Sequence, residues 1–173
     1  MNEELVFDVG ALNQKSTGAK LNYSFKVSAE LEGLKLLSDI EGDLEIMRLE
    51  KGLNVAISNF HTSLEGDCHM CLKAIKRTLE IAYIERQFYF SKANQPADPL
   101  ESFLVDTKNL KIDLSEMIRQ EIILHFTQIS VCSTSCKGIC SICGGNRNEK
   151  ACECRQETEP ENTPLSALKE LLK

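Results

Sequence analysis

Eight cysteines stand in a chain of 173 residues, and six of them, Cys132, Cys136, Cys140, Cys143, Cys152 and Cys154, fall between positions 132 and 154. No other feature limits the fold so sharply. Thiols this dense are disulfides in an oxidising compartment and metal ligands in a reducing one. Within the cluster, Cys140-Ser141-Ile142-Cys143-Gly144-Gly145 has the form of a zinc knuckle. Two cysteines three apart can chelate one ion from a tight turn, and the glycines that follow allow positive φ, which turns backbone N–H groups toward sulfur. A structural Zn²⁺ takes four ligands in a tetrahedron, so six candidates exceed one ion's need by two. The second pair could be Cys132/Cys136, Cys152/Cys154, or one cysteine from each flank. A two-zinc cluster or an iron–sulfur cluster could also be built from these thiols; the glycines favour zinc, and one ion per chain is the expectation. Cys68-His69-Met70-Cys71 is a second pair, far upstream. It is half a site that could meet the leftover pair across the fold; a β-turn with two part-buried thiols is the simpler expectation.

The rest of the composition is that of an ordinary folded domain: 42% hydrophobic, 27% charged, with a net charge of −6. An acidic surface repels phosphate, so the chain as a whole is not a non-specific nucleic-acid binder. Met1-Asn2-Glu3-Glu4 lacks the basic flank and apolar run of a signal peptide, and no stretch is apolar enough to span a bilayer. These features predict a cytoplasmic protein with reduced thiols and no membrane partner.

Period-two alternation predicts strands at residues 4–9 and 20–31, where Leu21, Tyr23, Phe25, Val27 and Ala29 share one face. Residues 32–38 fit a short helix or a turn. The β pattern resumes at Asp43, turns at Lys51-Gly52, continues through Leu53, Val55 and Ile57, runs again over 62–66, and returns after the Cys68/Cys71 turn from Leu79 to near Phe90. This describes an antiparallel meander with one buried face, able to curl toward a barrel. Asp113 and Glu116 have capping-box spacing, and Leu114, Met117, Ile118 and Ile122 form an apolar stripe, so a helix is predicted over 113–126. The chain then divides into a β-rich domain (1–130) ending in that helix, a zinc-binding module (131–155), and a polar linker with a short C-terminal helix (156–173). The class is α+β.

An enzyme finds little support. His61, His69 and His125 show no ligand or catalytic spacing, and the nucleophile-elbow, P-loop and dinucleotide-binding motifs are absent; no small-molecule substrate is expected. A thiol redox role for Cys68 and Cys71 would need the pair to open a helix after a strand, and the β context argues against it. Lys73, Lys76, Arg77 and Arg86 make a local basic stretch interleaved with Tyr83, Phe88, Tyr89 and Phe90. A sheet bearing such residues could contact RNA by phosphate pairing and base stacking.

Three segments together resemble one family, the YceD-type proteins linked to accumulation of large-subunit ribosomal RNA. They are Glu65-Gly66-Asp67-Cys68-His69-Met70-Cys71-Leu72, where the family has a C-x-R-C-L turn; Asp113-Leu114-Ser115-Glu116 through Leu124, matching a capped helix; and Val131-Cys132 with Cys136-Lys137-Gly138-Ile139-Cys140, Cys143-Gly144, Asn146, Asn148, Cys152 and Cys154, which is similar to the cysteine signature of zinc-bearing members. Met70 stands where the family usually has Arg, Thr127 where it has Pro, Ser141 where Pro is common and Arg147 where Leu is common. The resemblance implies a non-enzymatic factor for large-subunit biogenesis that binds precursor ribosomal RNA or a large-subunit ribosomal protein. The alternative is a zinc-stabilised adaptor that meets a basic protein without touching RNA.

Overall fold

The structure is a computed structural model describing residues 5–96, 102–127 and 130–154. In chain order the elements are β1 (Val6–Asp8), a helical turn α1 (Gly10–Asn13), β2 (Lys20–Val27), β3 (Lys35–Leu36), β4 (Ile40–Arg48), β5 (Gly52–Asp67), β6 (Ala74–Tyr89), β7 (Ser102–Leu104), β8 (Lys111–Asp113) and α2 (Ser115–Thr127). The main sheet runs β2-β4-β5-β6-β7, with β3 also on β5, and a two-stranded sheet pairs β1 with β8. The α+β class is as expected. The sheet stays open rather than closing into a barrel, with β2 and β7 as its outer strands, and the β6–β7 pair is parallel.

Period-two alternation places one face of β4 in the core, and in β5 and β6 the buried phase changes between Ile57 and Phe60 and between Ile81 and Ile84. Ile40, Leu44 and Ile46 of β4, Leu53, Val55, Ile57, Phe60 and Leu64 of β5, and Leu79, Ile81, Ile84 and Phe88 of β6 are buried. Met117, Ile118 and Ile122 of α2 belong to the same core. The two stretches expected as separate strands after Lys51 are one, because β5 continues through Asn59. That residue adopts φ 53°, and the register against β4 shifts between Glu41 and Asp43. A bulge re-aims the strand without ending it. Residues 32–38 contain the two-residue strand β3 in place of a helix. Asp113 accepts a hydrogen bond from the Ser115 N–H (2.9 Å) at the start of α2, as an N-terminal cap does. The expected linker and C-terminal helix (156–173) lie outside the described residues.

The long β5–β6 hairpin pairs Gly52 with Tyr89 at one end and Asp67 with Ala74 at the other, so the turn at 68–73 is carried far from the sheet's other end. At about 3.4 Å per residue a strand of this length spans roughly 50 Å. Past the end of α2, Ser130 hydroxyl donates to the Phe126 carbonyl (2.5 Å), and the Ser130 carbonyl accepts from the His69 N–H (2.8 Å). The helix exit is thereby tied to the hairpin turn, and residues 131–154 follow beside it.

Candidate metal centres

The eight thiols fall into two sets of four. Cys68, Cys71, Cys132 and Cys136 form an inner set, and Cys140, Cys143, Cys152 and Cys154 an outer one; within each set the sulfurs all lie within 4.8 Å of one another. Beside the single site with two leftover thiols that spacing predicts, the structure brings Cys68 and Cys71 to the leftover pair, the alternative that the sequence leaves open. Cys152 and Cys154 join the knuckle pair, while Cys132 and Cys136 cross to the hairpin turn. Spacing along the chain cannot register that second pairing, because α2 intervenes and its course decides which turn the segment meets.

The inner sulfurs stand 3.9 Å apart for Cys68 and Cys136 and 3.6 Å for Cys71 and Cys132. A tetrahedral ion with metal–sulfur bonds of about 2.3 Å sets its sulfurs about 3.8 Å apart, so four thiolates fit one ion with little movement. A disulfide needs about 2.05 Å, and all eight cysteines are free. The Cys68/Cys71 turn was expected to be part-buried; instead Cys68 is 0% and Cys71 4% exposed. The outer set is more open, with Cys140 buried but Cys143 and Cys154 exposed.

Both sets have the same local design. In the inner turn, burial pushes the Cys68 thiol up, but N–H groups of Cys132, Cys71 and Met70 aimed at its sulfur bring it down to about 6; the Cys132 N–H lies 3.2 Å away. In the outer turn, N–H groups of Cys143 and Ile142 bring Cys140 to about 6. The thiols beside these incipient thiolates hold their protons. Cys132 is pushed up to about 12, chiefly by its hydrogen bond to Cys136, and Cys154 to about 12 by its bond to Cys143. A protonated quartet shares protons between sulfurs, and a divalent ion can replace them. The residue after the second cysteine takes positive φ in both turns, 69° at Gly144 and 59° at Leu72. Glycine adopts that conformation freely, whereas leucine is strained by roughly 1 kcal/mol. Leu72, 64% exposed, is thus in the backbone position that Gly144 fills in the outer turn.

The four basic residues expected to meet RNA do not share one surface. Alternation along β6 puts Ile75, Arg77, Leu79 and Ile81 on one face and Lys76, Thr78 and Glu80 on the other. Lys73 and Lys76 are exposed. Arg77 is half-buried and donates to the Val131 carbonyl (2.5 Å), holding the segment that enters the inner set. Arg86 is half-buried in an ion pair with Glu121 of α2, a carboxylate only 6% exposed. An RNA contact by Arg77 would need it to face solvent, and its register position turns it inward. The outer face of the sheet is laced with cross-strand ion pairs, Lys20–Glu45 at 2.8 Å, Lys26–Glu41 at 2.7 Å and Lys35–Glu65 at 2.5 Å. Among the described residues no helix is long and apolar enough to cross a membrane.

Residues 58–172 match the family described as large ribosomal RNA subunit accumulation protein YceD. The span begins in β5 and takes in both cysteine sets. Two relatives are similar over shorter stretches. One, from Arabidopsis thaliana, is 39% identical over 61 residues, covering 35% of this chain and 19% of its own. The other, from Zea mays, is 42% identical over 59 residues, covering 34% of this chain and 20% of its own. Both are named large ribosomal RNA subunit accumulation protein YCED homolog 1, chloroplastic. The chain thus matches about a fifth of the length of these curated relatives. No solved structure matches. With the family match extending over the hairpin turn, α2 and all eight thiols, the chain belongs to the YceD family of large ribosomal RNA subunit accumulation proteins.

Proposed function

We propose that this chain is a non-enzymatic, zinc-stapled factor that supports accumulation of large-subunit ribosomal RNA in the cytoplasm by holding a basic ribosomal protein of the large subunit. The observation that carries the reading is the pair of four-thiol sets at the end of a long hairpin, in a chain of this family. Zn²⁺ suits all-thiolate tetrahedra, and when bound it cross-links the segments that supply its ligands. A four-iron cluster would hold its cysteines farther apart than these sulfurs stand. Four thiolates also leave no coordination position open for water or substrate, which supports a structural role for the ion. The burial of Cys68 denies a disulfide substrate access to the most acidic thiol of the inner turn, which weighs against the redox alternative.

Charge favours a protein over RNA as the direct partner. Each tetrathiolate zinc centre carries a formal charge of about −2, so loading both sites makes a chain of net charge −6 more acidic still. Such a surface attracts a polycation and repels a polyphosphate. The direct RNA reading keeps one favourable observation, the exposure of Lys73 and Lys76 beside the inner turn. The test is to titrate the zinc-loaded chain with precursor large-subunit ribosomal RNA and, separately, with individually purified large-subunit ribosomal proteins, at two salt concentrations. The proposal predicts salt-sensitive binding to a basic ribosomal protein and no specific binding to RNA alone. If RNA binds with a log–log salt slope of about −1.5 or steeper, and the double reversal Lys73→Glu/Lys76→Glu abolishes it, the chain is a direct RNA binder and the protein-partner reading is wrong.

A further inference from the structure

Asn148 belongs by sequence to the outer set, in the loop between Cys143 and Cys152, yet its side chain serves the inner one. Its Oδ1 accepts the Lys137 N–H at 2.8 Å. A backbone N–H can only donate, so this bond fixes the orientation of the amide. Nδ2 is then left facing Cys136 Sγ at 3.4 Å, within reach of a thiolate acceptor. Asn146 holds Asn148 in place, its Oδ1 accepting both the Asn148 N–H at 3.0 Å and Nδ2 at 2.9 Å. The same loop is sewn to the inner turn through backbone. Arg147 N–H donates to the Gly138 carbonyl and Ile139 N–H to the Met70 carbonyl, both at 2.9 Å. Gly138 has φ 69°, and a Cβ there would come 3.1 Å from the Met70 oxygen.

From this geometry we infer that Asn148 links the two metal centres, so that filling the outer site strengthens the inner one, and the reverse. The inference rests on the proposal that both quartets bind metal. The outer ion fixes the loop that carries Asn148 by tying Cys143 before it to Cys152 after it. Once that loop is ordered, the Asn148 amide donates to Cys136 without further ordering cost and stabilises the thiolate in its metal-bound form. Without the outer ion the loop is held by hydrogen bonds alone and the donor is lost part of the time. Linkage between two binding equilibria is reciprocal, so each ion must favour the other by the same factor. Asn148 is a positioning residue in this scheme, acting on metal through Cys136.

The test is a double-mutant cycle on the full chain, read as the zinc affinity of the inner site in competition with a chromophoric chelator. Asn148→Asp keeps an oxygen for the Lys137 N–H but replaces the donor facing Cys136 by a carboxylate oxygen. Cys143→Ser/Cys154→Ser removes the outer site. Asn148→Asp should weaken the inner site by about tenfold, the lower end for loss of a ligand's hydrogen-bond partner, when the outer site is intact, and by clearly less when it has been removed. A purely structural Asn148, needed only to hold Lys137, would be rescued by aspartate. A second measurement covers the case in which the serine pair disturbs folding: as zinc is withdrawn stepwise, Asn148→Asp should accumulate more one-ion species in native mass spectra than the wild-type chain does. Equal weakening in both backgrounds, no weakening in either, or unchanged one-ion species would overturn the linkage. A wild-type chain that binds fewer than two ions would overturn the metal reading itself, a result distinct from two ions bound independently.

Discussion

Cys71→Ser should cost the chain its inner metal ion and lower its thermal midpoint by on the order of 10 °C. Cys71 is 4% exposed, and its set joins the β5–β6 turn to the segment leaving α2. A structural zinc site contributes on the order of 10 kcal/mol to the fold it closes, comparable with the whole stability of a domain, about 5–15 kcal/mol. Much of that loss is confined to the end of the hairpin, because the buried contacts of β4, β5, β6 and α2 do not depend on the ion. Residues 131–154 should become protease-sensitive, while the secondary-structure signal of the sheet survives. Cys143→Ser should remove the outer ion and loosen 140–154 with a much smaller change in midpoint, since all four outer thiols come from one short segment and none from the sheet. Thermal denaturation with metal analysis distinguishes the two. A Cys71→Ser chain with wild-type midpoint and metal content would show that the inner quartet is not a metal site.

Gly52→Ala should destabilise the chain by about 3 kcal/mol or more, through a clash that nothing flexible can relieve. A Cβ at this position would stand 2.1 Å from the Phe88 carbonyl oxygen and 3.1 Å from the Tyr89 Cα, both backbone atoms of the paired strand. Gly52 starts β5 opposite Tyr89, so relief requires the strands to part at the end of the hairpin remote from the cysteines. Phe88, fully buried and stacked on Phe103 with ring centroids 5.1 Å apart, would be displaced with them. Chemical denaturation should give a lower midpoint at unchanged slope, with metal binding retained by the folded fraction. An unaltered midpoint would contradict the β5–β6 register. Taken with Cys71→Ser, this variant separates the stability of the sheet from that of the metal sites, which lie at its opposite end.

The parts of this fold that were legible in sequence are those that repeat locally. Alternation marked β2, β4 and the first half of β5, and the spacing of Met117, Ile118 and Ile122 after Asp113 marked α2. Beyond local repetition, legibility fell. β5 reads as two strands because Asn59 interrupts the pattern with a bulge whose function is to re-aim the strand. Arg77 and Arg86 look like surface cations, yet both turn inward, Arg77 in phase with Leu79 and Ile81 and Arg86 in phase with Ile84 and Phe88, where a carbonyl and the buried Glu121 satisfy them. The knuckle at Cys140–Cys143 was visible because its ligands are neighbours in sequence. The inner quartet stood only as an alternative, since Cys71 and Cys132 meet only once the hairpin and α2 are folded. A weak local signal did exist, because Cys68–Cys71 has the spacing of the outer pair. Leu72, where the outer turn has Gly144, concealed the shared backbone.

The two quartets also give residues 131–154 a physical connection to the β5–β6 hairpin. Half of the inner thiols come from the sheet's own hairpin and half from the segment after α2, so on the proposed reading folding and metal loading are coupled there. The proposed partner binding depends on that coupling, since a surface held by two ions would present one shape to a basic ribosomal protein.

The most direct measurement is the mass of the intact, reduced chain after zinc reconstitution, recorded under native conditions. The account predicts two zinc ions per chain, falling to one in both Cys71→Ser and Cys143→Ser. A wild-type chain that saturates at one ion, with Cys71→Ser unaffected, would contradict it and leave Cys68 and Cys71 as ordinary buried thiols.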